Sequence, residues 1–191
     1  MNRTLPLLAL LLPLLIGCAG RSPAPESVAE PVRDPRDRDL GTIVDDQRIE
    51  TVGLVSIRRA DPGLTDAHVS VTSYHGVVLV SGQVREPRLK ALAGQTLVGI
   101  AGVRRVYNEL EIGGPTSLLT RSGDAWITSK AKARLVASRE APGLDIKIVT
   151  ENGVVYLLGR VRRAEADEAT EIVRTVGGVR RVVRMFDYLD G

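Results

Sequence analysis

The stretch NGVVYLLGRV at residues 152–161 has a near copy, HGVVLVSGQV, at residues 75–84. Each begins with a turn pair, Asn152-Gly153 or His75-Gly76, and continues into β-branched and aliphatic residues. Asn-Gly is the strongest short hairpin signal, because both turn positions need positive φ. His75 stands where Asn152 stands in the other copy, so it reads as a turn residue rather than a catalytic one. Working outward, Pro62-Gly63-Leu64 matches Pro142-Gly143-Leu144 upstream. Downstream, Gly102-Val103-Arg104-Arg105-Val106 matches Gly178-Val179-Arg180-Arg181-Val182. Three blocks in one order mean a duplicated unit of roughly seventy residues.

Each unit has the same pattern of elements. A helical stretch comes first, near residues 46–60 and 124–140, and Pro-Gly stops it. Two β-rich runs follow, 67–74 with 77–84 and 145–150 with 154–160, joined at the turn pairs. A second helix is expected near 87–100 and 164–176, and a Gly-Val-Arg-Arg-Val strand closes the unit. The fold class is α+β: two tandem αββαβ domains, each a three-stranded sheet with two helices on one face. The expected divisions are 44–113 for the first domain, 114–122 for a linker and 123–191 for the second.

The composition narrows the function classes. The 191 residues carry a formal net charge of +3, too even a balance to suggest nucleic acid. Aromatic residues are only 3% of the chain, so the cores must be built from Val, Leu, Ile and Ala. A single cysteine allows no internal disulfide and no cysteine-based zinc site. His68 and His75 have no Asp/Glu/His cluster of ligand spacing around them, so no metal site is expected. There is no G-x-S-x-G elbow and no phosphate-cradling loop. Nothing assembles a nucleophile, a base and an oxyanion hole, so no catalytic residues are assigned and an enzyme is disfavoured.

The one cysteine is placed informatively. Arg3 provides a basic start, and residues 5–16 form an apolar stretch of signal-peptide length. It ends in Leu15-Ile16-Gly17-Cys18, which resembles the bacterial lipobox. Small Gly17 suits the scissile bond, and the Cys18 thiol would carry the diacylglyceryl group, with an N-acyl chain completing the anchor. Residues 1–18 are therefore expected to be a lipoprotein signal peptide ending at the acylation site. Ala19 follows where Asp would often mark inner-membrane retention, so the resemblance implies the inner leaflet of the outer membrane. Residues 19–43 read as a flexible tether, and its alternating Arg and Asp at 33–39 as a solvated segment.

Each unit resembles a BON domain, whose pattern is this αββαβ order with a G-V-V-x-L-x-G strand and a G-V-x-x-V closing strand. Two such units behind a lipobox resemble the dual BON-domain outer-membrane lipoproteins, the DolP (YraP) family. Further motifs carry the resemblance: Val44-Asp45-Asp46, Val106-Tyr107-Asn108-Glu109, Trp126-Ile127-Thr128 and Val149-Thr150-Glu151-Asn152-Gly153. It implies no cofactor beyond the Cys18 lipid. It also implies binding of anionic phospholipid (phosphatidylglycerol, cardiolipin) through the second domain, and a role in outer-membrane integrity.

The residues of the 124–140 helix fit that implication. Asp124 and Ser122 are available to cap its start. Ile127, Ala131 and Leu135 form one stripe at i, i+4, i+8 and should face the sheet. Trp126, Lys130 and Arg134 form the adjacent stripe, while Lys132 and Arg139 add charge elsewhere. Tryptophan favours the headgroup depth, and each nearby basic side chain adds about 1 kcal/mol at an anionic surface. The candidate lipid-contact set is Trp126, Ile127, Lys130, Lys132 and Arg134. From the residues alone, a Trp at the edge of the core beside a solvated basic face reads equally well.

The first domain has no aromatic in its corresponding helix, so it is expected to pack on the second domain or meet a protein. A different class of function stays open beside lipid binding: an envelope adaptor, serving outer-membrane protein assembly or cell-wall remodelling, that uses the sheet faces or the Arg pairs. The pairs Arg104-Arg105 and Arg180-Arg181 otherwise read as solvent-side residues alternating with inward valines.

Overall fold

Both hairpin turns take the left-handed conformation at both positions: φ is 50° at His75, 72° at Gly76, 49° at Asn152 and 71° at Gly153. The structure, a computed structural model, describes residue 34 and residues 36–114 and 116–190. The expected signal peptide, Cys18 and most of the tether lie outside the described residues.

The first domain runs α1 (Leu40–Ala60), α2 (Pro62–Thr65), β1 (His68–Tyr74), β2 (Val77–Val84), α3 (Pro87–Val98), β3 (Arg105–Asn108) and β4 (Glu111–Ile112). The second runs α4 (Leu118–Ala137), β5 (Lys147–Glu151), β6 (Val154–Val161), α5 (Arg163–Arg174) and β7 (Arg181–Tyr188). In each sheet the hairpin is antiparallel and the closing strand lies parallel to the hairpin's second strand. The central strands are β2 and β6, and short β4 continues the line of β3 along β2. The two domains are thus αββαβ units, as expected, with the small helix α2 and the short fourth strand β4 added in the first.

A buried aspartate ties the first helix of each unit to its hairpin. Asp46 accepts from Ser73 Oγ at 2.6 Å, from the His75 amide at 2.9 Å and from the Gly76 amide at 3.0 Å. Asp124 accepts from the Asn152 and Gly153 amides, both at 2.8 Å. This corrects the capping expectation. The cap of α4 is Ser117, whose Oγ accepts from the Thr120 amide, and Asp124 lies well inside the helix. A turn with two inward-pointing N–H groups needs an acceptor, and a mid-helix carboxylate supplies both oxygens. Similarly α1 begins at Leu40, capped by Asp39, rather than near residue 46. The second glycine of the repeated strand motif has its own cause: a Cβ on Gly82, where φ is 117°, would collide with the His68 carbonyl.

Each sheet buries one face under its helices. Val78, Val80 and Val84 of β2 meet Ile49, Ile57, Leu89 and Leu97. Val155, Leu157 and Val161 of β6 meet Ile127, Leu135, Ala169 and Val173. The alternate residues point the other way and form a third core between the domains. Tyr74 and Leu79 pack there with Val154, Tyr156, Leu158 and Met185. The layers are therefore helices, sheet, sheet, helices. Both central strands are buried on two faces, which is why they read as continuous apolar runs rather than alternating ones. Burial pushes the Tyr156 phenol up to about 12, and nearby Glu109 adds to the shift.

Polar contacts close the rim of this interface, and they correct two expectations. The Arg pairs are not simply solvated. Arg104 Nη2 lies 2.6 Å from Asp187 Oδ2, with Arg105 at 3.9 Å from the same carboxylate, and Arg181 reaches Glu109 at 3.8 Å. Nor is the 33–39 segment wholly solvated. Arg36 Nη1 bonds Glu165 Oε1 of α5 at 2.9 Å. Arg38 sits 4.4 Å from the centre of the Tyr74 ring and 3.4 Å from Asp46 Oδ2. A guanidinium next to a carboxylate and an aromatic face gains both contacts, so the end of the tether is drawn onto the domains. The inner sheet faces are thus covered by one another, and Arg104, Arg105 and Arg181 lie at the rim of that contact.

Candidate functional site

Helix α4 has one face committed to the core and one left outside. Asp124, Ile127, Ala131 and Leu135 are buried at helical spacing. Ile127 is only 6% exposed and belongs to the second-domain core, so it does not reach a surface ligand. Its role is to hold the helix on the sheet. Trp126, one position earlier, is 53% exposed. Lys130 Nζ lies 4.5 Å from the centre of its indole, a cation–π stack that holds the ring and the ammonium together on the surface. Leu118 and Leu119 at the start of the helix are 79% and 83% exposed. Leu119 lies seven residues before Trp126, so both fall on one side of the helix two turns apart.

The four basic side chains of α4 have different fates. Among the described residues, Lys130 is placed only against the Trp126 indole. Arg134 is exposed and bonds Thr175 Oγ1 at 2.7 Å, and Arg121 is exposed and bonds the Thr116 carbonyl. Lys132 is turned inward and donates to the carbonyls of Gly143 at 2.6 Å and Ile146 at 2.9 Å. Burial lowers its pKa, against an opposing pull from Asp145. Lys132 is a structural tie and not a surface cation, because those carbonyls near the β5 edge need a donor. The only carboxylate of α4, Asp124, is occupied by the hairpin. The outer face of the helix therefore carries cations, an indole and two leucines, with no counter-charge of its own.

Residues 45–114 and 123–190 each match the BON domain family. Over 177 residues the chain is 34% identical to "Outer membrane lipoprotein DolP" of Haemophilus influenzae, covering 92% of this chain and 91% of that protein. The chain belongs to the DolP family of BON-domain proteins. It is also 34% identical over 152 residues to the "21 kDa hemolysin" of Actinobacillus pleuropneumoniae, covering 80% of this chain and 78% of that one. Identity to "Osmotically-inducible protein Y" of Escherichia coli is 30% over 146 residues, 75% of this chain and 72% of that protein.

Within this dual BON frame the corresponding surface of the first domain differs. The outer residues of α1 include Asp45 and no aromatic, and Glu50 is engaged with the Ser73 amide. Of the expected set, the fold brings Trp126, Lys130 and Arg134 to one surface and takes Ile127 and Lys132 away from it. The residues missed by sequence reading are Leu118 and Leu119. Their signal was present in Ser117-Leu118-Leu119-Thr120, a cap followed by an apolar pair, but Gly123 and the cap-like Ser122 and Asp124 suggested a later start.

Proposed function

We propose that this DolP-family chain is a lipoprotein anchored through Cys18 to the periplasmic face of the outer membrane, where α4 of its second domain binds anionic phospholipid and so supports envelope integrity. The observation that carries the reading is the half-exposed Trp126 with Lys130 stacked on it, on a helix face without free carboxylates. An indole and two leucines suit the headgroup boundary, while Lys130 and Arg134 suit phosphate. Each increment is small. A lipid-tethered domain needs only small increments, because the anchor already raises its effective concentration at the surface. Among the described residues no helix is long and apolar enough to cross a membrane, so contact by this domain would be interfacial. The family relationship to an outer membrane lipoprotein supports the location.

Trp126 is the sole tryptophan of the chain, so the contact carries its own probe. The soluble chain lacking residues 1–18 is titrated with phosphatidylglycerol vesicles and with phosphatidylcholine vesicles. The expected result is a blue shift and co-sedimentation with the anionic vesicles only, weakened as salt shortens the Debye length. Sedimentation should be lost in Trp126→Ala and reduced in Lys130→Glu. Absence of both shift and sedimentation at low salt would overturn the reading.

A further inference from the structure

The chain enters the first domain at α1, yet the residues just before that helix reach the second domain. Asp39 caps α1, its carboxylate accepting from the Thr42 amide at 2.7 Å. Arg38 lies over the Tyr74 ring and beside Asp46. Tyr74 belongs to the core between the sheets, and its hydroxyl donates to the Asp145 carbonyl of the second domain at 2.6 Å. One turn earlier, the Asp37 amide donates to the Asp34 carbonyl at 2.9 Å. The Arg36 guanidinium is held between two carboxylates. Its Nε is 3.1 Å from Asp34 Oδ1, and its Nη1 is 2.9 Å from Oε1 of Glu165, in the first turn of α5. The Arg36 and Glu165 side chains are only 18% and 15% exposed, so salt screens this pair less than a surface pair.

The repeated fold does not call for these contacts. Asp46 and Asp124 are equivalent, since each serves its own hairpin turn. At the same spacings before Asp124 stand Gly114 and Thr116 rather than Arg36 and Arg38. The two arginines are an addition on the side of the chain that leads to Cys18, and they change where that chain leaves the folded domains. Without them it departs from Leu40, in the helix layer of the first domain. With them it departs from Arg36 and Asp34 at α5, in the helix layer of the second. There α5 lies beside α4, tied to it by the bond from Arg134 to Thr175 at the end of α5.

We propose that Arg36 and Arg38 form a strap that moves the anchor's point of attachment across the domain seam, so that the protein hangs from the domain that carries α4. This rests on the reading of α4 as the lipid contact and of Cys18 as the anchor. An anchor raises the effective concentration of a site only where the linker lets that site reach its target. Attachment at Leu40 leaves two sheets between the point of exit and the α4 layer. Attachment at Glu165 puts the exit in that layer. Neither arginine belongs to the outer face of α4, so the strap bears on how α4 is presented and not on the contact itself.

Two measurements test the strap. In limited digestion of the chain lacking residues 1–18, trypsin should cut after Arg38 at least about tenfold faster in Arg36→Glu than in the parent, because cleavage follows the open population. Resistance should return in Arg36→Glu/Glu165→Arg, which restores the pair with its charges exchanged. In the second measurement the chain from Cys18 is coupled through that thiol, the only one in the chain, to maleimide-bearing lipid. The vesicles carry rising phosphatidylglycerol, and Trp126 emission is followed. Coupled Arg36→Glu should need at least about threefold more phosphatidylglycerol for the half-maximal blue shift, and the exchanged pair should return to the parent value. Chains lacking residues 1–18 should differ by less than about twofold. Glu165→Arg also gives up a bond from the Arg162 amide. Should it fold poorly, Arg36→Gln with Arg38→Gln serves for the vesicles. Rapid cleavage of the parent after Arg38, equal shifts in coupled parent and Arg36→Glu, or an equal defect without coupling would each overturn the strap and leave the α4 contact standing. No shift in any coupled protein would instead overturn the α4 reading, and the strap's role with it.

Discussion

Arg104 and Asp187 form an ion pair across the domain boundary, Nη2 to Oδ2 at 2.6 Å. The repeat makes the relationship nearly reciprocal, because Arg181, from the same motif in the second unit, reaches Glu109 of the first. Arg104 is more than half exposed, so solvent screens the pair and its contribution is modest. Arg104→Asp is expected to cost about 0.5–1 kcal/mol, with part recovered when Asp187→Arg is added. A double-mutant cycle in urea measures the coupling; a coupling of zero would show that the apolar interface alone sets the domain contact.

The sheet-to-sheet core should matter far more than its rim. Leu79 is fully buried against the other domain. Leu79→Asp places a carboxylate there and is expected to cost about 3 kcal/mol or more. Because each domain keeps its own helix-side core, unfolding should separate into two transitions, visible by calorimetry.

His75 predicts a mild-acid sensitivity. Burial, with Arg160 next in effect, lowers its pKa below the usual value of about 6.5. The unfolded chain therefore takes up the proton first as pH falls. Stability should drop from about pH 6.5 downward and level off below the folded pKa. His75→Asn, which copies Asn152 and tolerates the positive φ, should remove that slope; urea midpoints at about pH 7.5 and about pH 5.5 compare the two proteins.

Asp46 predicts a second step at lower pH. Burial by itself raises its carboxyl, but hydrogen bonds from Ser73 Oγ and the Gly76 and His75 amides, helped by Arg38, outweigh that and lower the pKa. Its contribution is fully present above the unfolded value of about 3.9 and is lost as pH falls through the lower folded value. Asp46→Asn should be less stable than the parent at neutral pH, and the gap should close below about pH 4.

The two neighbouring lysines of α4 should behave oppositely. Lys132→Met leaves the Gly143 and Ile146 carbonyls without their donor and should lower stability by about 1–3 kcal/mol. It should leave phosphatidylglycerol binding of the folded protein unchanged. Lys130→Glu should weaken vesicle binding with thermal stability within about 0.5 kcal/mol of the parent. Equal effects of both substitutions on vesicle binding would contradict the assignment of Lys132 as a structural tie.

The local chemistry was legible from the sequence. Asn152-Gly153 and His75-Gly76 specify left-handed turns and flanking apolar runs specify strands, whereas Pro-Gly is not itself the helix stop: α1 ends at Ala60 and Pro62-Gly63 opens α2, and α4 ends at Ala137, before Pro142. Duplication then fixes the αββαβ order twice. Even the doubly buried central strands left a trace in the unbroken apolar runs of β2 and β6. Such a run says that both faces are covered, but not by what. Only the tertiary structure decided that each sheet covers the other, that Arg104 and Arg181 close that seam, and that Asp124 serves a turn rather than a helix end. The same holds for Lys130 and Lys132. Helical spacing sets the two apart, yet which ammonium meets solvent depends on where unpaired carbonyls of another element lie, and that is a property of the packed chain.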